Sequence, residues 1–317
     1  MGRATARREV ACRLSVVVTV HNMRREAPRT LTSLSPPYQH GVDPSTYEVI
    51  VVENGSSEPP PAGLVESLGD NFRYVVLRDP PASPAHAMNA GARLARGDAL
   101  GLMIDGARLV TPGMLRWALA ALAAFDRPVV TTLGFHLGRE PQTRAAMRGY
   151  DRRQEDELLE QIDWPRDGYR LFEIAALAGS SMHGWFQPLS ESSCVFMPRA
   201  LFEELDGFDE RFDLPGGGLL NLDFHRRACE LPMSNLVTLL GEGTFHQIHG
   251  GIMTNCAPRE NARRWREYAA QYRALKGELF RPPTRRAILF GDVPSAALPW
   301  IKQSCELFWS SRLAPPH

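Results

Sequence analysis

LSVVVTVHN, Leu14 to Asn22, is a run rich in β-branched residues that breaks off on two polar side chains. Such a run bounded by turn-forming residues reads as a strand. A helical pattern follows over Arg24 to Leu34, and a second strand, Tyr47 to Val52, again ends on polar residues, Glu53 and Asn54. The alternation continues with strands at Arg73 to Leu77, Ala99 to Ile104 and Pro128 to Leu133. Helices are expected between them at Leu64 to Leu68, Pro84 to Ala95 and Met114 to Phe125. Thr111 is placed to cap the last of these, with Pro112 at its first position. Short strands alternating with helices build βαβ units, so the fold class is α/β with a mostly parallel central sheet flanked by helices.

Outward from this half the pattern weakens. Between His136 and Gln187 one acidic helix, Asp151 to Ile162, stands in an irregular stretch that reads as an insertion shaping a site. A short strand at Ser193 to Met197 meets Pro198 and a helix, Arg199 to Leu205, that stops at Gly207. A further strand, Asn235 to Leu240, precedes the segment HQIH. After Pro258 the residues Trp265, Tyr268, Ala269, Tyr272 and Leu275 recur at helical spacing, which predicts a C-terminal helical appendage packed on the main body and ended by Arg281 to Pro283.

The 317 residues suffice for a full α/β core, and 44% apolar with 23% charged residues excludes wholesale disorder. Lys plus Arg and Asp plus Glu balance at 36 each, so no net field draws nucleic acid, and no nucleic-acid partner is expected. Arg3 to Arg8 reads as part of a flexible tail. Cys12, Cys194, Cys229, Cys256 and Cys305 form no CxxC pair and read as reduced thiols. Leu14 to Val20 is too short for a signal peptide core, and Met114 to Phe125, interrupted by Arg116, falls short of the ~20 residues that span a bilayer. The expectation is a cytoplasmic protein with no transmembrane segment and at most peripheral membrane contact.

Ligands of an open parallel sheet bind outside the carboxyl ends of its strands. Four strands here end in polar pairs: His21-Asn22, Glu53-Asn54, Arg78-Asp79 and Asp105-Gly106. On one parallel sheet these ends converge along one edge.

Three stretches then resemble the nucleotide-binding half of family-2 glycosyltransferases with the GT-A fold: LSVVVTVHN, VIVVENGSSE (Val49 to Glu58) and AHAMNAGARLARGDALGLMIDGARLVTPG (Ala85 to Gly113). SSCVFMPRALFEELDGFDERF, Ser192 to Phe212, is similar to the acceptor half. The resemblance implies a tail over 1–12, a GT-A-like catalytic domain over 13–257 and the helical appendage over 258–317. The catalytic domain would divide into a nucleotide-binding half, 13–135, and an acceptor half, 136–257. It implies a nucleotide-diphosphate sugar donor, UDP-linked, and transfer with inversion to an acceptor that is a saccharide, a lipid-linked group or a small molecule. A silent nucleotide-sugar-binding protein and a nucleotidyltransferase are the other readings. The latter would want glycine in HNMRREAPRT after the first strand, which has none.

Carried over by position, Glu53 takes the place of the family's base-binding aspartate, with His21, Asn22, Asn54 and Asp79 beside it. Asn89 and Gly91 fall on the helix that closes under the donor. The family neutralises the diphosphate with a divalent cation held by a DXD-like motif; here it reads Asp105-Gly106-Ala107-Arg108, with the second acid missing. Either Asp105 holds Mn²⁺ or Mg²⁺ with a histidine of HQIHGG, His249 ahead of His246, or Arg108 supplies the charge without a metal. The family's general base falls at Asn221 in GGGLLNLDFHRRA, Gly216 to Ala228, and an amide cannot take a proton. The base is then Asp223, on the same helix, or Glu191, ahead of the SSCVFM strand, or is absent.

Overall fold

A computed structural model describes residues 12–251 and 258–313. The tail over Arg3 to Arg8 and Cys256 lie outside the described residues. The strands are β1 (Leu14–Val20), β2 (Tyr47–Glu53), β3 (Phe72–Val76), β4 (Ala99–Met103), β5 (Arg108–Val110), β6 (Pro128–Leu137), β7 (Ala175–Leu177), β8 (Cys194–Pro198), β9 (Asn235–His246) and β10 (Ile288–Gly291). They form one sheet in the order β10-β9-β6-β8-β4-β1-β2-β3, with β5 added to β9 and β7 to β6. The helices are α1 (Glu26–Leu34), α2 (Leu64–Ser67), α3 (Ala85–Leu94), α4 (Met114–Ala124), α5 (Gln142–Met147), α6 (Arg152–Ile162), α7 (Arg199–Glu204), α8 (Leu220–Cys229), α9 (Pro258–Lys276) and α10 (Leu298–Leu313).

The main path of the sheet is parallel except at β8, which runs antiparallel to both β4 and β6. β1 lies inside it and is buried along its whole length. Its side chains alternate between the two faces. Val16, Val18 and Val20 pack with Leu31 and Leu34 of α1 and Leu115 and Ala118 of α4. Val17 faces the other layer, with Met88 and Ala92 of α3 and Phe224 of α8. Each such valine contributes about 1.5–3 kcal/mol on burial, so the run quoted first anchors both layers. Gly91 lets α3 approach the sheet, because a Cβ there would collide with Val17 Cγ1 and meet Val52 at 3.0 Å.

A third cluster packs the insertion and α10 against the ends of β6 and β9. Phe135 stacks on Phe245 at 5.3 Å and meets Phe172 and Trp300 edge-on at 5.2 and 5.3 Å.

The structure departs from the sequence reading in several places, the short elements β5, β7 and α5 among them. β6 and β9 do not stop at Leu133 and Leu240 but continue to Leu137 and His246, carried through a register shift between Thr131 and Leu133 and a left-handed Gly241 (φ 74°). Thr111 does not cap α4; its hydroxyl donates to the buried carboxylate of Glu242, and Gly113 occupies the cap. α9 ends at Lys276, followed by left-handed Gly277 (φ 75°), ahead of Arg281 to Pro283. The C-terminal segment carries two helices and also β10, which extends the sheet beside β9. Among the described residues no helix is long and apolar enough to cross a membrane.

Candidate active site

The parallel register of β1, β2 and β4 brings their polar ends to one edge, with Val20 opposite Glu53. His21 Nδ1 donates to the Asn54 main-chain oxygen at 2.9 Å, and Asn22 Nδ2 donates to His21 Nε2 at 3.2 Å. Asn22 is left-handed (φ 53°), and its Oδ1 accepts from the Ser57 and Glu58 main-chain amides at 2.8 and 3.1 Å. Glu53, 3% exposed, accepts from the Ser56 amide at 2.7 Å and the Tyr74 hydroxyl at 3.3 Å. These side chains therefore also brace the loop over 54–58. Asn54 Oδ1 is buried with no hydrogen-bond partner among the described residues. Asp79 is exposed, in left-handed backbone (φ 47°). Asn89 exchanges hydrogen bonds with the main chain of Phe208, at 2.8 and 2.9 Å, tying α3 to the GFDERF loop.

Asp105 follows β4. Gly106 is needed beside it, since a Cβ would lie 2.6 Å from Val20 Cγ1 and 2.7 Å from the Thr19 oxygen. Ala107, where the DXD pattern has its second acid, is fully buried in the core, so that position faces away from solvent. What stands opposite Asp105 instead comes from the far end of β9, because β5 pairs Arg108 with His246. His246 Nε2 lies 3.1 Å from Asp105 Oδ2, and His249 Nε2 lies 3.9 Å from Oδ1. Ligand atoms of Asp105, His246 and His249 all fall within 4.8 Å of one another. The structure thus brings Asp105 and His249 together, and it sets His246 nearer still. One carboxylate oxygen and two imidazole nitrogens are a mixed oxygen and nitrogen donor set that can hold a divalent cation.

Burial pushes His246 down to about 4, against the pull of Asp105. Burial also opposes ionisation of Asp105, but the flanking His246, Arg108 and His249 outweigh it and hold the carboxyl well below the usual range. Arg108 Nε lies 3.1 Å from Asp105 Oδ2.

The insertion holds the histidine segment in place. Glu155 of α6 accepts from the Ile248 amide at 2.8 Å, Arg25 donates to the Ile248 oxygen at 3.2 Å, and Arg152 donates to the His249 oxygen at 3.1 Å. The acidic helix read in the sequence thus shapes the site through main-chain contacts.

On the acceptor side the two candidate bases part. β8 is antiparallel to β4 with Cys194 opposite Met103, so Glu191, just ahead of β8, lies at the same edge as Asp105. Asn221 Nδ2 donates to Glu191 Oε1 at 2.5 Å and to the Ser192 oxygen at 3.2 Å. One turn on, His225 Nε2 donates to the Leu189 oxygen at 3.2 Å, so one face of α8 braces the chain around Glu191. Asp223 is on another face, 2% exposed, with Arg227 Nε at 2.8 Å and Lys276 Nζ at 3.2 Å from its Oδ2. Gly216, Gly217 and Gly218 lead into α8 with φ of 75°, 78° and 57°, a turn that side chains rarely permit.

Residues 15–172 match the family described as Glycosyl transferase family 2. The chain belongs to this family. As a family-2 glycosyltransferase with the GT-A fold it is 29% identical over 302 residues to a validoxylamine A glucosyltransferase of Streptomyces hygroscopicus subsp. limoneus. That match covers 90% of this chain, which spans only 62% of the relative's length. S. aureus TarS in complex with UDP-GlcNAc is similar in fold at TM-score 0.52 and 15% identity, over 82% of this chain and 66% of that one. The mannosyltransferase PcManGT from Pyrobaculum calidifontis, in complex with GDP-Man and Mn²⁺, gives TM-score 0.51 and 15% identity over 97% and 77%.

In this family member, sequence reasoning missed Gln142, Glu155 and Glu242, which are polar yet fully buried. The capping box at Asp151, with Gln154 at the third position, was a local signal for the start of α6, but nothing local marks Glu155 as facing inward.

Proposed function

We propose that this chain moves a sugar from a UDP-linked donor to a hydroxyl acceptor with inversion at the anomeric carbon. The donor binds at the edge formed by 13–135, and the acceptor enters from 136–257. The observation that carries the reading is the meeting of Asp105, His246 and His249 within 4.8 Å, beside the strand ends of an α/β sheet. Asp105, His246 and His249 would hold a divalent cation, which would supply the positive charge that lets the diphosphate leave. The Mn²⁺ in the mannosyltransferase complex supports that choice, as the UDP-GlcNAc complex supports the uridine donor.

Glu191 takes the proton of the acceptor hydroxyl as its oxygen attacks the anomeric carbon from the face opposite the diphosphate. The bond from that carbon to the β-phosphate oxygen breaks, and the nucleoside diphosphate departs with the electron pair. Asn221 orients Glu191, and the braced loop over 54–58 lines the nucleotide end. The relatives' name makes UDP-glucose the first donor to test and validoxylamine A the first acceptor.

The test is calorimetric titration of UDP and UDP-glucose with and without Mn²⁺, followed by product analysis at the anomeric centre. Tighter UDP binding with Mn²⁺ and an inverted product are expected. No uridine nucleotide binding overturns the donor assignment, and a retained configuration overturns the role of Glu191.

A further inference from the structure

His136 of β6 and His246 of β9 are Cα partners, with ring centroids 5.5 Å apart, and both are buried. Gln142, the first residue of α5 and fully buried, bonds to both. Its main-chain N–H donates to His136 Nδ1 at 2.9 Å. A main-chain amide can only donate, so His136 Nδ1 carries a lone pair and the hydrogen of that ring is on Nε2. The Gln142 side chain donates from Nε2 to the His246 main-chain oxygen at 2.9 Å. A carbonyl can only accept, which orients the amide and turns Oε1 toward His246 Nδ1, 2.5 Å away. His246 Nδ1 therefore carries the hydrogen.

The consequence lies on the opposite edge of each ring. In its neutral form His246 therefore has its lone pair on Nε2, which lies 3.1 Å from Asp105 Oδ2 and 3.2 Å from His249 Nε2. That nitrogen is then able to serve as one ligand atom of a cation shared with Asp105 and His249. His136 presents an N–H, and its Nε2 has no hydrogen-bond partner among the described residues.

We propose that Gln142 is a positioning residue that locks two neighbouring histidines into opposite tautomers: His246 as a ligand for the divalent cation, and His136 as a hydrogen-bond donor to the anionic diphosphate beside it. The proposal rests on the cation reading above. The ring nitrogens of histidine are chemically distinct, and the partner of one decides what the other can do. The two locks differ in kind. His136 is held by main chain, which survives any substitution at 142 other than proline, whereas His246 is held by the side chain alone.

Long-range ¹H–¹⁵N spectra of the histidine rings in the metal-free full chain, recorded above pH 7, test the locks directly. The expected pattern is hydrogen on Nδ1 of His246 and on Nε2 of His136; the same tautomer on both rings overturns the proposal. In Gln142→Met, His136 should keep its pattern while His246 becomes a mixture. Mn²⁺ affinity, read by electron paramagnetic resonance, should then fall about 10- to 100-fold. A folded Gln142→Met protein with parental Mn²⁺ affinity, or with His246 still fully hydrogen-bearing at Nδ1, also overturns it. If the parent binds no Mn²⁺, the cation reading fails by itself, and the ring spectra still judge the tautomers.

Discussion

Asn221 donates its side-chain amide to Glu191 Oε1 across 2.5 Å, joining the first turn of α8 to the segment ahead of β8. In the proposed reaction Glu191 supplies the basicity that the amide of Asn221 lacks. Replacing Glu191 by Gln keeps the shape and removes the basicity. We expect turnover to fall about 10²-fold or more in Glu191→Gln, with UDP affinity unchanged by calorimetry. Turnover at the parent rate rules Glu191 out.

Asp223 should behave as a structural anion. Removing it leaves Arg227 and Lys276 facing one another without their shared carboxylate. Because both cations are partly solvated, Asp223→Ala should cost about 2 kcal/mol, below the range for a fully buried pair. Urea unfolding measures this, and the folded variant should turn over within a few-fold of the parent. A rate loss as deep as that of Glu191→Gln would make Asp223 part of the chemistry.

The Asp105 pair distinguishes metal from arginine as the source of positive charge. In Asp105→Asn the Mn²⁺-dependent part of UDP binding should disappear. In Arg108→Ala the Mn²⁺ effect should survive while metal-free UDP binding weakens by about 1 to 3 kcal/mol, the loss of one charged hydrogen bond. Full activity in EDTA, abolished by Arg108→Ala, would move the phosphate charge onto the guanidinium.

Glu242 should impose a pH dependence on stability. Burial, only partly offset by hydrogen bonds from Thr111 and Tyr169, pushes its carboxyl from 4.5 up to about 7. Between those values the folded state holds a proton that the unfolded chain has released, so this group's contribution to stability falls as pH rises through the window and is flat above it. Glu242→Gln removes the effect. The stability of the variant relative to the parent should therefore rise by about 1.4 kcal/mol per pH unit between about pH 4.5 and 7. Equal pH profiles in denaturant titrations would show that Glu242 is not the group responsible.

Local chemistry determined a good part of this. The βαβ alternation and the polar strand ends follow from residue type and short spacing, because hydrophobic periodicity and turn chemistry act over a few residues, whereas the readings of Asp105 and Asn221 come from the family resemblance. The extensions of β6 and β9 were illegible because left-handed Gly241 and the register shift break the local pattern while sheet pairing continues across them. Strand β10 lay unread in the tail for a related reason: a four-residue strand is stabilised by the neighbour it pairs with, and that neighbour is β9.

At the site, tertiary structure alone decided which groups meet. Asp105 faces His246 and His249 because β5 and β9 pair antiparallel, and no spacing in the sequence encodes that register. Glu191 rather than Asp223 stands beside Asn221 because helical periodicity turns Asp223 toward α9, where Lys276 receives it. Sequence specifies which side chains carry acids, bases and lone pairs; their mutual distances are set by packing among elements far apart in the chain, and only at those distances do they become a site.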